Sequence, residues 1–110
     1  MAIDNSQTID GLGFDKATGE AVLLISDHLD WIDLARHADL LGQKLTAYVH
    51  FIESGQLTEM FPKAEGCPVK ISLVYQFRPD NNGEQYLANV AAELAKQGIA
   101  LAHGRLPAGY

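Results

Sequence analysis

The sequence predicts an α+β fold: a two-layer sandwich with a mainly antiparallel sheet and two helices on one face, ordered β-β-α-β-α with room for a last short strand. Three observations carry this expectation. A turn signal, Asp15-Lys16-Ala17-Thr18-Gly19, joins two apolar segments short enough to be strands. After Asp30, apolar side chains recur at the 3.6-residue helical period for roughly 24 residues, about 35 Å of helix. From Val69 to Phe77 the residues alternate, with Val69, Ile71, Leu73, Tyr75 and Phe77 pointing one way and Lys70, Ser72, Val74 and Gln76 the other.

The first expected strand is Thr8 to Phe14. Its glycines, Gly11 and Gly13, fit close backbone packing or a bulge, because the downstream glycine and helix start of a phosphate-binding loop are missing. The second strand, Glu20 to Ser26, is apolar on both faces through Ala21-Val22-Leu23-Leu24-Ile25, which suits a central position. The long helix is expected to start at Trp31, with Asp30 accepting the free amides of its first turn and Leu29 packing on Leu34. Its stripe is Leu34, Ala35, Ala38, Leu41, Leu45, Tyr48, Val49 and Ile52, and Gly55 is its stop. Gln56 to Pro68 is a connection with a short turn around Leu57 to Phe61.

Pro79 ends the third strand, and Asn82 with Gln85 resembles a capping pair for a second helix. That helix buries Tyr86, Leu87, Val90, Ala91 and Leu94 and stops at Gly98, which leaves Ile99 to His103 for an edge strand. The domain organisation is a polar arm over residues 1–7, one domain over 8–103, and a tail over 104–110. A tight loop makes its two strands antiparallel, and a strand with a solvated face places the helices on the other side.

At 110 residues the chain suits one core, and 47% hydrophobic with 20% charged residues is an ordinary globular composition. The single cysteine, Cys67, excludes an intrachain disulfide and any multi-cysteine zinc site. A net charge of −6 disfavours nucleic acid and anionic membrane as partners, and no clustered Lys and Arg offset it. The first residues lack the basic and apolar regions of a secretory signal, so the cytoplasm is the expected compartment.

Thr8-Ile9-Asp10, Thr18-Gly19-Glu20, Ile25-Ser26-Asp27-His28-Leu29-Asp30-Trp31 and Phe51-Ile52-Glu53-Ser54-Gly55-Gln56 give the chain a resemblance to a family of small bacterial proteins of unknown function. The resemblance covers roughly residues 8–97 and implies a size class and a source, with no mechanism and no catalytic residues.

The densest polar cluster is Asp27, His28 and Asp30 at the strand-to-helix junction, leading into Asp33 and His37, which share a helical face. These five are the ligand-binding candidates, against a structural reading in which the aspartates cap and turn. No His-x-x-x-His pair, nucleophile elbow or cofactor loop accompanies them, so no catalytic residue, metal site or cofactor is assigned. Leu40, Ala47 and Phe51 are read as lying outside the main helical stripe, covered either by the chain itself, including Gln56 to Phe61, or by another protein. The leading functional expectation is a non-enzymatic protein-interaction module. It forms a homodimer or neutralises a basic partner, as small acidic immunity-like proteins do. The alternative is a small-molecule-binding or hydrolytic domain using Asp27, His28 and Asp30.

Overall fold

The chain runs β1 (Gly11–Asp15), β2 (Glu20–Asp27), α1 (Leu34–Glu53), α2 (Gln56–Met60), a 3₁₀ turn (Pro62–Ala64), β3 (Val69–Tyr75), α3 (Asn81–Ala95) and β4 (Ile99–Arg105). The computed structural model describes residues 9–105. The expected arm over 1–7, Thr8 of the first expected strand and residues 106–110 of the expected tail lie outside the described residues. Gly104 and Arg105, expected in that tail, belong to β4.

The four strands form one sheet in chain order, β1-β2-β3-β4. The hairpin turns as its chemistry predicts: Asp15 accepts from the Ala17 amide through its side chain and from the Gly19 amide through its carbonyl, and Gly19 takes φ 77°. The Ala17 amide, helped by nearby Lys70, holds the Asp15 carboxyl below its ordinary value.

β1 and β2 are therefore antiparallel, but β2–β3 and β3–β4 are parallel. The sheet is mixed, and the expectation of a mainly antiparallel sheet is corrected. A long helix between two adjacent strands is a crossover that returns the chain in the same direction, and α1 and α3 are both such crossovers. The solvated face of β3 invited an antiparallel reading, yet it arises equally when both crossovers pack on one side. Gly11 of β1 leaves room for its cross-strand partner, since a Cβ there would stand 3.1 Å from that of Leu24.

Alternation selects the face that meets the helices. Ala21, Leu23, Ile25 and Asp27 of β2 and Ile71, Leu73 and Tyr75 of β3 are buried, while their neighbours are half-buried. Leu41, Leu45 and Tyr48 of α1 and Leu87 and Leu94 of α3 close over them. Tyr86 joins the two helices by donating its hydroxyl to Ala38 O (3.2 Å). Phe77 lies beyond the end of β3 and is 45% exposed rather than an inward strand residue.

Both long helices start elsewhere than expected. Asp33, not Asp30, caps α1 by accepting from the Arg36 amide (3.2 Å), while Asp30 closes a turn on the Ile32 amide (3.1 Å). Trp31, the expected first helical residue, is a core residue that enters from the loop before helix geometry begins. Asp80 caps α3 through the Gly83 amide (2.8 Å), in place of the Asn82–Gln85 pair.

The buried face of α1 is His37, Leu41, Lys44, Leu45, Tyr48 and Phe51. Phe51 thus belongs to the core, which corrects its placement outside the stripe. It lies one heptad after Lys44, and a heptad brings a helix back to within about 20° of the same direction. α2 folds back beside it with Leu57 buried, the cover expected from this chain's own connection, and Leu40 and Ala47 are half-buried on the flank.

Lys44 sits in the apolar stripe because it has a buried partner. Its ammonium lies 2.9 Å from Asp10 Oδ1, with the two side chains 0% and 4% exposed. Asp10 Oδ2 accepts from the Ser26 amide, and the Tyr48 hydroxyl accepts from the Asp10 amide while donating to Leu24 O. This network fastens the residues entering β1 to β2 and α1.

Two outcomes follow from this packing. At Gly83 a Cβ would fall 2.9 Å from Trp31 Cε3 and 2.8 Å from Pro79 Cβ, so Gly83→Ala is expected to destabilise by about 1–3 kcal/mol in denaturant titration. An unchanged midpoint would contradict that contact. Burial also pushes the Tyr48 hydroxyl far above its ordinary value of 10, and raises Tyr86. The unfolded chain releases these protons first, so their contribution is whole below pH 10 and is lost as pH rises beyond it. Tyr48→Phe should flatten the alkaline decline measured by denaturation at successive pH values.

Candidate functional site

The carboxyl ends of the parallel strands gather most of the residues singled out from sequence. Asp27 ends β2 and Tyr75 ends β3, paired across the sheet. The loop from β2 into α1 passes over them, and in parallel sheets this end is the usual place for ligands.

Asp27 and His37 meet there, and both are 1% exposed. His37 Nε2 contacts Asp27 Oδ2, and His37 Nδ1 lies 2.9 Å from Asp30 O. A carbonyl oxygen only accepts, so Nδ1 carries a hydrogen and donates it. A single proton then lies between Nε2 and Asp27, whichever of the two it is bonded to. Asp27 Oδ1 accepts from the Leu29 amide (3.1 Å). Both imidazole nitrogens are consumed within the fold, so His37 has no lone pair left for a metal or a substrate proton.

Trp31 completes the assembly. Its ring stacks on His37 with centroids 3.8 Å apart, and its indole Nε1 donates to Phe77 O (2.9 Å). Tyr75 meets the indole edge-on at 6.4 Å, and its hydroxyl lies 3.2 Å from His103 Nδ1. The loop after β2, the start of α1, the segment after β3 and strand β4 are thereby joined through five side chains.

The five ligand-binding candidates consequently separate. Asp27 and His37 are buried and paired with each other; Asp30 and Asp33 are exposed and serve a turn and a cap; His28 is exposed. His28, Asp30, Asp33, Arg36 and Phe77 rim a depression of about 170 Å³. That is below the roughly 300 Å³ at which small-molecule pockets begin. Among the described residues no group of three or more His, Cys, Asp or Glu side chains converges as a metal site requires. No helix among them is long and apolar enough to cross a membrane. Cys67 is half-buried, with its thiol 3.4 Å from Lys63 O.

Residues 1–106 match a family of unknown function, DUF6572. The chain belongs to this family. Neither the curated proteins nor the solved structures contain a match to it. The segments on which the resemblance rests coincide with joints of the fold. Asp10 takes the Lys44 ion pair, Gly19 closes the hairpin, Asp27 and Trp31 hold the strand-end assembly, and Gly55 takes φ 87° where α1 gives way to α2.

The sequence reading missed the parts played by Tyr75, His103 and Lys44, and the exposed pair Ile32 and Phe77. Lys44 carried a usable signal, since it stands three residues from Leu41 and four from Tyr48, inside a stripe where a charge must find a partner. His37→Ala should leave the Asp27 side chain buried without its partner and the indole without its stack. The expected loss is about 3–5 kcal/mol in denaturant unfolding. A variant as stable as the wild type would remove His37 from this structural role.

Proposed function

We propose that the protein is a non-enzymatic protein-binding module that uses the carboxyl end of its sheet as contact surface. The carrying observation is Ile32, 90% exposed in a loop whose shape is held by Asp30, with Phe77 45% exposed on the neighbouring segment. Buried Trp31, next to Ile32 in the chain, donates to the carbonyl of Phe77 and ties the two segments together. Large apolar side chains held outward by a fixed backbone lose little freedom on binding, as contact residues should.

Exposed Asp30 and Asp33 flank Ile32 in the chain, exposed Arg78 and Asp80 follow Phe77, and the chain as a whole carries −6. A partner with a basic surface and an apolar anchor fits that arrangement. The internal use of Asp27 and His37 supports binding over hydrolysis, because the groups best suited to move a proton are engaged with each other.

Combining Ile32→Asp with Phe77→Asp tests the reading. Both side chains are exposed, so stability should stay within about 0.5 kcal/mol per site. Cross-linking in cells of origin should recover a partner with the wild type and lose it with the variant; identical recovery would overturn the proposal. Calorimetry with zinc, manganese and nickel addresses the small-ligand alternative, which heat present in the wild type and absent in His28→Ala would favour.

A further inference from the structure

One edge of the sheet lacks the protection that strand edges ordinarily carry. β4 is the last strand in the order and, among the described residues, pairs on one side only, with β3. Its other side presents backbone amides and carbonyls, which proteins blunt at such edges with proline, charge, a bulge or a short strand. β4 has seven residues, its register with β3 runs without a bulge, and Ile99 to Gly104 contains no proline, lysine, arginine or carboxylate. β1 at the opposite edge has five residues and ends on Asp15.

The helix beside this edge is equally bare. α3 sends Leu87 and Leu94 into the core, while Tyr86, Val90, Glu93 and Gln97 lie on its side toward α1. The flank left over, away from α1, is Ala88, Ala91 and Ala95, whose three- and four-residue spacing keeps them on one face. Ala88 and Ala95 are exposed and Ala91 is half-buried. These alanines and Ile99 to Gly104 form an end wall of the two-layer fold without a single Asp, Glu, Lys or Arg, in a chain with 20% charged residues. Depletion of charge is the compositional mark of an interface centre.

We infer that this end wall binds a second copy of the chain, β4 against β4, antiparallel about a two-fold axis at Ala102, so that two four-stranded sheets become one of eight strands. The spacing of the layers favours this occupant. Strands lie about 4.8 Å apart and packed helices about 10 Å apart, so two helices centred over four strands put the α3 axis about 2 Å inside β4. A two-fold axis half a strand spacing beyond β4 then sets the two α3 axes about 9 Å apart. Helices pack at that distance when the facing side chains are small, and the facing flank is Ala88, Ala91 and Ala95. An isolated peptide strand would pair with the edge yet leave the alanine flank without a helix. α3 is about 22 Å long and β4 about 23 Å, and three residues join them, so the axis at Ala102 passes beside the middle of α3. Glu84, on the same flank one turn before Ala88, is thereby carried to opposite ends of the helix pair, and like charges do not meet. A wall about 23 Å long and 20 Å high buries about 900 Å² over two copies, at the low end of specific interfaces, so micromolar association is expected. The inference uses neither Ile32 nor Phe77 and does not rest on the proposed partner site.

Sedimentation equilibrium of the full chain over a range of concentrations tests it. The wild type should dimerise, and Ala88→Arg and Ala95→Arg should each weaken association at least tenfold while circular dichroism shows the fold retained, because both positions are exposed and arginine is a good helix former. Asn89→Arg, the same charge at an exposed position on the α1 side of α3, should dimerise as the wild type does. In a Cys67→Ser background, Ala102→Cys should form an interchain disulfide under a mild oxidant. Ala100→Cys should not, since its two copies are displaced about 13 Å along the strands in this register. A wild type monomeric to about 1 mM overturns the inference. So does a dimer that both flank arginines leave intact, one that Asn89→Arg dissociates equally, or cross-linking at position 100 as ready as at 102.

Discussion

The contact between His37 and Asp27 is the constraint around which one end of the molecule is organised. A buried carboxylate and imidazole are tolerated only when their hydrogen-bonding capacity is met, and here the Leu29 amide and the Asp30 carbonyl meet it. Those two backbone groups belong to the loop between β2 and α1, so satisfying the pair fixes the loop. The fixed loop delivers Trp31 onto the imidazole, and the indole in turn reaches the carbonyl of Phe77. Gly83 then follows from Trp31, because the first turn of α3 can approach the indole only without a side chain. A motif that resembles catalytic chemistry in one dimension is a joint in three.

A second buried pair performs the corresponding task at the entrance to β1. Lys44 and Asp10 join α1 to the chain entering the sheet edge, with Tyr48 and the Ser26 amide closing the network. The two pairs lie on the same face of α1, seven residues apart at His37 and Lys44, so one helix carries both polar anchors within an apolar surface. Buried pairs of this kind contribute less to stability than to register, since a slipped helix would strand both charges.

The sequence made the periodic parts of the fold legible. Alternation in Val69 to Tyr75, the helical repeat after Leu34 and the Asp15 to Gly19 turn are local patterns, and each appears where it was expected. Strand direction was less legible because it depends on what lies between strands, and the solvated face of β3 is compatible with either direction. The start of α1 was ambiguous because Asp30 and Asp33 are both competent caps, and the choice is made by Trp31 seeking the core. At the candidate site, proximity in sequence suggested that Asp27, His28 and Asp30 act together, but alternation along β2 turns Asp27 inward and His28 outward. Tyr75 and His103 could not be joined to the cluster without the parallel register that brings them near.

Because spatial order in the sheet equals chain order, every strand pairs with the one made just before it. No later strand has to insert between two already hydrogen-bonded neighbours, and the sheet can widen in one direction as polypeptide emerges from the ribosome. The first hairpin forms through the nearest contacts in the sheet, and each β-α-β unit then adds one helix and one strand to a surface already present. A nascent chain halted after α1 would own its hairpin and the Lys44 anchor, yet would expose the still unpaired side of β2. The most vulnerable interval of synthesis therefore falls between the emergence of α1 and that of β3.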